Sequence, residues 1–260
     1  MSAGGFLHVA PSPSPSIATN ASTITPSRLP RQRTHPLKPG SMKETALINH
    51  VDGQMLRINR RHAKKFSRNI DEHTDESTAD GGGGGDGDVS GYEGFGEVVR
   101  DIERVIDVVW VSGTPPLQIP YLISVAGLVN TYLPDYPFAP KSTFRLLRKL
   151  DSVFVSLLTG EDAESGLPLS GFESKRNVVS MTEKVRIKSI AEACRVAAVE
   201  AREGEEEYDE EEEDDENDDD MDIDGFGEPT GLWEMETARI YEKTIQYLGD
   251  ELGQGAELVV

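Results

Sequence analysis

The chain is 260 residues long and 37% apolar, below the roughly 45–50% of an ordinary globular domain, so part of it is expected to lack a packed core. The single cysteine, Cys194, excludes an intramolecular disulfide. No apolar run approaches the ~20 residues that span a membrane.

Charge is divided unevenly along the chain. The net charge is −21, but residues 203–224 hold 17 Asp or Glu and no Lys or Arg, which leaves about −4 for everything else. The first 70 residues are basic, with 11 Lys or Arg against only Glu44 and Asp52. A basic beginning and an acidic block near the end indicate a polarised chain.

Residues 1–40 are rich in Ser, Thr and Pro and poor in apolar residues, which predicts a disordered basic arm. Within it, Thr25 precedes Pro-Ser-Arg, the proline-directed pattern that cyclin-dependent kinases phosphorylate. A phosphate on Thr25 would subtract positive charge from the arm. Such Ser/Thr-Pro pairs are also common in disordered tails that are never modified.

Residues 41–66 are predicted to form an amphipathic helix with a basic tail. Ser41 and Glu44 have the spacing of a capping box, which satisfies the first amides of a helix. The basic tail has three interpretations: cations that suit a helix C-terminus, a nuclear-import signal, or a nucleic-acid contact. The residues that would carry the last two functions are Arg57, Arg60, Arg61, Lys64, Lys65 and Arg68.

Residues 67–93 are predicted to be a flexible linker of Gly and Asp. Its five consecutive glycines, 81–85, resemble a phosphate-binding loop only in composition. The Lys and Ser/Thr of such a loop are missing, and no strand precedes it. Aspartates on both sides would also repel a phosphate, which favours a linker.

Residues 94–202 are predicted to be the core of a helical bundle. A helix over 94–112 follows from the apolar periodicity, although its β-branched run at 105–111 alone would suit a strand. Two further apolar helices within 117–158 are joined by a proline-bearing corner at 133–140. This hairpin is the most densely apolar stretch of the chain, so it is expected at the centre of the core.

Local signals set the bounds of these helices. Pro120 is expected in the first turn of its helix, where a missing N–H costs nothing. Ser142 is the expected N-cap of the next helix and Gly160 its terminating residue. A second capping box, formed by Ser180 and Glu183, opens a helix over 181–202. Cys194 lies on the small-residue face of that helix, where a buried hydrophobe is expected.

The acidic residues within 203–229 repel one another too strongly to fold, which predicts a disordered loop between helices. Residues 230–252 are predicted to form a C-terminal helix that packs back on the bundle, since closing a long loop costs little more than closing a short one. The alternative is a detachable helix that binds a partner.

Candidate residues for a partner interface come from two sources. One is the basic outer edge of the helix that follows Ser142, which is either a solvated face or a contact for an acidic partner. The other is tryptophan, because aromatic anchors concentrate binding energy. These candidates are Arg145, Arg148, Lys149, Trp110 and Trp233.

No catalytic signature is present in the sequence. All five histidines precede the predicted bundle core, which removes Ser-His-Asp, Cys-His and ordinary zinc arrangements from residues 94–260. The acidic block lacks the glycine and ligand spacing of a calcium loop. We therefore expect no enzyme activity, no cofactor and no metal site.

Three sequence blocks carry a resemblance to a known family. They are the segment that begins Ser-Met-Lys-Glu-Thr-Ala-Leu-Ile-Asn-His at 41, the helix segment 144–151, and the segment Met-Thr-Glu-Lys-Val-Arg at 181–186. Together they resemble an uncharacterised family of filamentous fungi that is labelled as meiotic-recombination proteins. The resemblance covers about half of the chain and implies a fungal nuclear protein, with no functional residue to transfer.

The sequence thus predicts an all-α bundle of five or six helices with a disordered N-terminal arm, a Gly/Asp linker and a long acidic inter-helix loop. The favoured function is that of a nuclear, non-enzymatic scaffold or regulatory subunit in chromatin or nucleic-acid metabolism. Its bundle would bind a protein partner, and its acidic tract would attract basic, histone-like proteins or act as a spacer. The alternative is a nucleic-acid-binding protein that uses residues 57–68, with the acidic block as autoinhibitor; the alternative location is the cytoplasm.

Overall fold

The computed structural model describes residues 29–71, 90–172, 178–203 and 230–254. Over these ranges the protein is an all-α bundle, which confirms the predicted fold class. None of the described helices is long and apolar enough to cross a bilayer. The elements are α1 (Met42–Asp71), α2 (Phe95–Val111), α3 (Pro115–Tyr132), a 3₁₀ helix (Leu133–Asp135), α4 (Pro140–Thr159), α5 (Met181–Glu203), α6 (Thr230–Ala238) and α7 (Glu242–Gln254).

Capping boxes begin α1 and α5. Ser180 and Glu183 exchange hydrogen bonds as predicted, with each side chain accepting from the other residue's backbone N–H. At α1 only half of the box forms, because Ser41 accepts from the Glu44 amide while the Glu44 carboxylate accepts from the amide of Gly40. Both helices thus have carboxylates in their first turns, where they complement the helix dipole.

Helix α2 confirms the helical interpretation of the β-branched run. Its apolar residues form one buried face at helical spacing. Packing of this face against the other helices outweighs the local preference of the β-branched residues for a strand. Trp110 is fully buried as well. The buried residues are Phe95, Val98, Val99, Ile102, Val105, Ile106, Val109 and Trp110.

The central hairpin differs from the prediction at its helix starts. Helix α3 begins at Pro115, so Pro120 lies inside the helix rather than in its first turn. Helix α4 begins at Pro140, with Ala139 and not Ser142 in the N-cap position. Gly160 ends α4 as predicted, in the left-handed conformation (φ 78°) that glycine adopts without a steric penalty.

The helices alternate in direction, so that α1, α3 and α5 run one way and α2, α4 and α7 run the other. Hydrogen bonds and ion pairs at matched positions along neighbouring helices establish these directions. Parallel pairs are α1 with α3 (Asp52 with Tyr121, Asn59 with Tyr132), α2 with α4 (Glu103 with Arg145, Asp107 with Lys149) and α4 with α7 (Asp151 with Thr244, Leu158 with Tyr247). Opposite directions follow for α1 and α2 from the pair of Arg61 with Asp101 and the approach of Gly91 to Lys65, and for α5 and the C-terminal helices from the contacts of Lys184 with Glu251 and of Arg195 with Ala238.

Helix α1 is part of the bundle and is longer than predicted, continuing to Asp71. It packs on α2, and its most buried apolar side chains, Val51 and Ile58, are each 1% exposed. Gly91 allows a close approach, since a Cβ there would lie 3.0 Å from the backbone nitrogen of Lys65. A side chain at this position would push the end of α1 away from the bundle.

Residues 29–40 also lie against the bundle, which differs from the disordered arm predicted through residue 40. The amide of Arg33 donates to the carbonyl of Val111 at 3.1 Å, and the amide of Leu37 donates to Thr114 Oγ1 at 2.9 Å. These bonds satisfy backbone groups that a free arm would leave to water. Residues 1–28, most of the predicted linker and nearly all of the predicted acidic loop lie outside the described residues.

The predicted C-terminal helix is divided into two. Helix α6 ends at Ala238 and α7 begins at Glu242, with Tyr241 between them at a φ of 50°. A bulky residue in this left-handed conformation costs roughly 1–2 kcal/mol, which the surrounding contacts must offset. Tyr241 is fully buried against Phe154 of α4, with ring centroids 6.0 Å apart.

Candidate interaction surfaces and interhelical ion pairs

Arg61, on the inner face of α1, is the centre of a polar cluster that joins α1 to α2. Its guanidinium donates at 2.8 Å to both Glu97 and Asp101, and it lies 3.9 Å from the centre of the Tyr92 ring. Tyr92 in turn donates to Asp101 at 2.8 Å. Burial opposes the charge of Arg61, but the bond to Asp101 and the nearby negative groups outweigh it and raise the pKa of Arg61.

A second cluster joins α1 to the end of α3 and the 3₁₀ helix. His62 stacks on Tyr132 with ring centroids 3.7 Å apart, and its Nε2 lies 2.9 Å from Asp135 Oδ2. Lys65 Nζ lies 3.7 Å from the centre of the Tyr136 ring, a cation–π contact. Burial raises the pKa of Tyr136 to about 12, so the phenol stays protonated.

The outer face of α1 carries the remaining cations of the predicted basic tail. Arg57, Arg60 and Lys64 are exposed and follow one another at helical spacing, whereas Arg61 and Lys65 turn inward. The structure therefore separates the six predicted residues into an inner pair that holds the fold together and an outer cationic row. The side chain of the sixth, Arg68, lies outside the described residues.

The predicted basic edge of α4 forms ion pairs with neighbouring helices. Arg145 pairs with Glu103 of α2, Lys149 lies 2.8 Å from Asp107 of α2, and Arg148 pairs with Glu236 of α6. Lys149 is only 3% exposed. These cations connect helices of the same chain, which corrects the expectation of a solvent-facing edge; an interface role for them stays a prediction.

The tryptophan candidates have different outcomes. Trp110, whose exposure the sequence left open, is 0% exposed and lies in the core, so it offers no surface to a partner. Trp233 belongs to α6, but its side chain lies outside the described part of the structure, as does Thr25. Their predicted functions stay predictions.

The buried carboxylate of Asp151, on α4, binds the N-terminal turn of α7 by hydrogen bonds; we call this contact the clasp. Its Oδ1 accepts from the Thr244 hydroxyl at 2.6 Å and from the Thr244 amide at 2.9 Å. Thr244 is the third residue of α7, so Asp151 acts as an N-terminal cap supplied by another helix. Sequence analysis missed this contact because a cap from a distant helix has no local spacing signal.

A cleft lined by prolines lies where the N-terminal ends of α1, α3 and α5 meet. Its volume is about 650 Å³. Sequence analysis missed it, and the clustered prolines around 36–39 and 115–120 were the available signal. The lining residues are Pro36, Leu37, Pro39, Glu44, Thr114, Pro115, Pro116, Ile119, Pro120, Gly171, Val178 and Glu183.

The described residues offer little reactive chemistry. Within them, no three His, Cys, Asp or Glu side chains form a group that could hold a metal ion. Cys194 is fully buried, as predicted, and burial raises the pKa of its thiol to about 12, so it is not a thiolate at neutral pH. The features that the structure does offer are surfaces, ion pairs and a cleft.

By its fold the chain is an all-α helical-bundle protein, whose described residues carry charged interhelical contacts, a cationic outer row and an open cleft. A family model described as TFB6, subunit 11 of the general transcription factor TFIIH, matches residues 91–249. The match covers more than half of the chain, and the chain therefore belongs to the TFB6 family. Comparison with curated proteins and with solved structures gave no match.

The family match corrects the resemblance seen in the sequence. It gives a family of transcription factors, not one of meiotic recombination, while a nuclear-factor family is supported. The matched region contains α2 to α6 and most of α7. Helix α1 and the cleft residues before Ser41 precede the matched region and pack onto it.

Proposed function

We propose that this chain is a non-enzymatic, nuclear subunit of a TFIIH-type assembly and that it binds a protein partner through the outside of its helical bundle. The observation that carries the proposal is the family match over residues 91–249, which coincides with the bundle from α2 to α7. Support for a non-enzymatic function comes from the same family description and from the chemistry of the described surfaces.

The acidic block is proposed to attract basic proteins without contributing to the assembly contact. Its residues lie between α5 and α6, and its charge density gives electrostatic attraction that salt screens. The bundle is proposed to form the stable contact. These two functions predict different behaviour when the block is replaced.

Co-purification from nuclear extract separates the two functions. We expect the tagged full chain to bring down TFIIH subunits in stoichiometric amounts, together with basic proteins that dissociate at high salt. A variant with residues 205–224 replaced by a Gly/Ser segment of equal length keeps the connection between α5 and α6. This variant should retain the TFIIH subunits and lose the basic proteins. Absence of TFIIH subunits from the wild-type preparation would refute the proposed function.

A second candidate function is nucleic-acid binding by the outer face of α1. The observation that favours it is the exposed row Arg57, Arg60 and Lys64, whose helical spacing places three cations along one side. The acidic block would then compete for the same cations within the chain. This function adds to the assembly function, since α1 precedes the matched region.

Duplex DNA binding, measured by fluorescence anisotropy at about 50 and 200 mM salt, tests this candidate. We expect the Gly/Ser replacement of 205–224 to tighten binding, because the competing charge is removed. The variant R57E/R60E/K64E should lose most of that affinity and reduce the salt dependence by about 0.9 per lost phosphate contact. E200Q/E234Q, on α5 and α6, is a control for surface substitution away from α1. No binding with or without the block would eliminate the candidate.

A further inference from the structure

The proline cleft has rigid walls. Five of its lining residues are proline, and the ring of each fixes one backbone dihedral. Pro115 and Pro116 lie at the start of α3, and Pro36 and Pro39 lie on the segment that precedes α1. A rigid site loses little conformational entropy when it binds a ligand, which favours binding.

The charged side chains of the cleft are carboxylates. Of the described residues that line it, none is Lys, Arg or His, whereas Glu44 and Glu183 are both present and partly exposed. A ligand that supplies donors and positive charge is complementary to this lining.

Anionic ligands do not fit the same lining. The N-termini of α1 and α5 approach the cleft, but each is already capped by a side chain of its own first turn. Glu44 accepts from the Gly40 amide, and Glu183 accepts from the Ser180 amide. These carboxylates occupy the positions that a phosphate or a carboxylate would take at a helix N-terminus.

The floor of the cleft is apolar. Leu37 and Ile119 contribute side chains that are 7% and 3% exposed, and Val178 is partly buried against the core. The volume of about 650 Å³ lies in the ~300–1,000 Å³ range of binding pockets. Apolar side chains of a ligand are therefore expected on the floor, with cations beside the two carboxylates.

We propose that the proline cleft binds a short extended segment of a partner protein in which apolar residues are flanked by Lys or Arg. This inference deepens the proposed function, and rests on it only for the source of the segment. The cleft combines the family's helical core with the N-terminal extension, since Pro36, Leu37, Pro39 and Glu44 all precede the matched region. The recognition site is thus formed jointly by the N-terminal extension and the region of the chain that the family model matches.

Peptide binding to the purified full chain tests the inference directly. The probes are two fluorescein-labelled heptapeptides that share a Leu-Pro-Leu centre, one flanked by lysines and the other by glutamates. We expect the lysine peptide to bind in a salt-dependent manner and the glutamate peptide not to bind. Equal binding of the two peptides, or binding of neither, would overturn the proposal.

Two variants test whether the peptide binds in the proline cleft. E44Q/E183Q removes both charges, while each amide oxygen still accepts the capping bond, so the fold is kept. The double variant should weaken binding of the lysine peptide about 10-fold, with E200Q/E234Q as the matched control.

P116K places a cation on an exposed lining residue and should abolish binding of the lysine peptide, with P134K in the 3₁₀ helix as the control. Unchanged affinity in either cleft variant would contradict the assignment.

A third variant separates a partner from the chain itself. Residues 173–177, which connect two cleft-lining regions, are replaced by glycine and serine. Binding that is the same with and without this replacement supports a partner as occupant. Binding that emerges only after the replacement shows that the chain fills its own cleft and overturns the proposal. Failure of these peptide assays leaves co-purification with TFIIH unaffected, so the two proposals fail separately.

Discussion

Replacing Asp151 with alanine is expected to lower the free energy of unfolding by about 2–3 kcal/mol. Thr244 is fully buried, and both its amide and its hydroxyl donate to Asp151 Oδ1. The alanine variant removes the acceptor of the Thr244 amide and the shorter bond of its hydroxyl, which keeps only a 3.4 Å contact with the backbone carbonyl of residue 151. It thereby removes the cap of α7. Urea unfolding followed by circular dichroism measures the free energy, and hydrogen exchange at Thr244 and Leu248 locates the loss in α7.

Two controls separate the clasp from other effects of the substitution. Asp151→Asn keeps an acceptor for Thr244 and should cost clearly less than the alanine variant. Asp250→Ala, at an exposed site of the same helix α7, should stay within about 0.5 kcal/mol of wild type. An alanine variant at 151 as stable as the Asp250 control would show that α7 does not depend on Asp151.

The clasp also predicts a pH dependence. Burial raises the pKa of Asp151 above its ordinary value, against the opposing effect of the bonds from Thr244. The folded chain therefore holds the proton more tightly than the unfolded chain does. Relative to Asp151→Asn, the wild-type free energy of unfolding should rise as the pH falls from neutral toward about 4. A difference that stays flat over this range would contradict the assignment.

Helices with a strong local signal were predictable from the sequence. The apolar periodicity of α2 and the capping box before α5 each depend on residues within a few positions of one another. The C-terminal glycine of α4 is of the same kind, because a left-handed residue is a local requirement. Local patterns determine these elements, and the surrounding fold agrees with them.

The break between α6 and α7 was not predictable, because its cause is tertiary. The residues at the break, Arg239 to Tyr241, include neither glycine nor proline. The break requires a cap for α7, which Asp151 provides from a position 93 residues earlier in the chain. It also places Tyr241 against Phe154 in the core. Helical periodicity continues through residues 230–252 and carries no sign of either contact.

The charged residues of the candidate site show the same limit of prediction from sequence. Periodicity places charges on the solvent-facing sides of α2 and α4, but it cannot show that these two sides meet. In the structure they do meet, and Glu103 and Asp107 pair with Arg145 and Lys149. The basic tail of α1 is divided for a similar reason, since Arg61 finds its acidic partners only when α2 packs beside it. The sequence thus shows where charged residues are concentrated, but only the packing of the helices determines which of them stay at the surface.

Asp107→Ala is expected to lower the free energy of unfolding by about 2 kcal/mol because it removes the partner of a buried ammonium. Lys149 is 3% exposed, and its Nζ lies 2.8 Å from Asp107 Oδ1. Breaking a buried ion pair typically costs ~3–5 kcal/mol, and the partial exposure of Asp107 reduces that figure. Chemical denaturation of the single variant measures the loss.

Lys149→Met tests the reason for that loss. Methionine fills a similar volume without a charge, so the variant should lie within about 1 kcal/mol of wild type. In its background Asp107→Ala should cost almost nothing, which gives a coupling energy of about 2 kcal/mol in a double-mutant cycle. An undiminished cost of Asp107→Ala would mean that the ammonium is not the cause. If Lys149 instead served a partner, one of the two interpretations of the basic edge, Lys149→Met would abolish co-purification without changing stability, and the coupling energy with Asp107 would be close to zero.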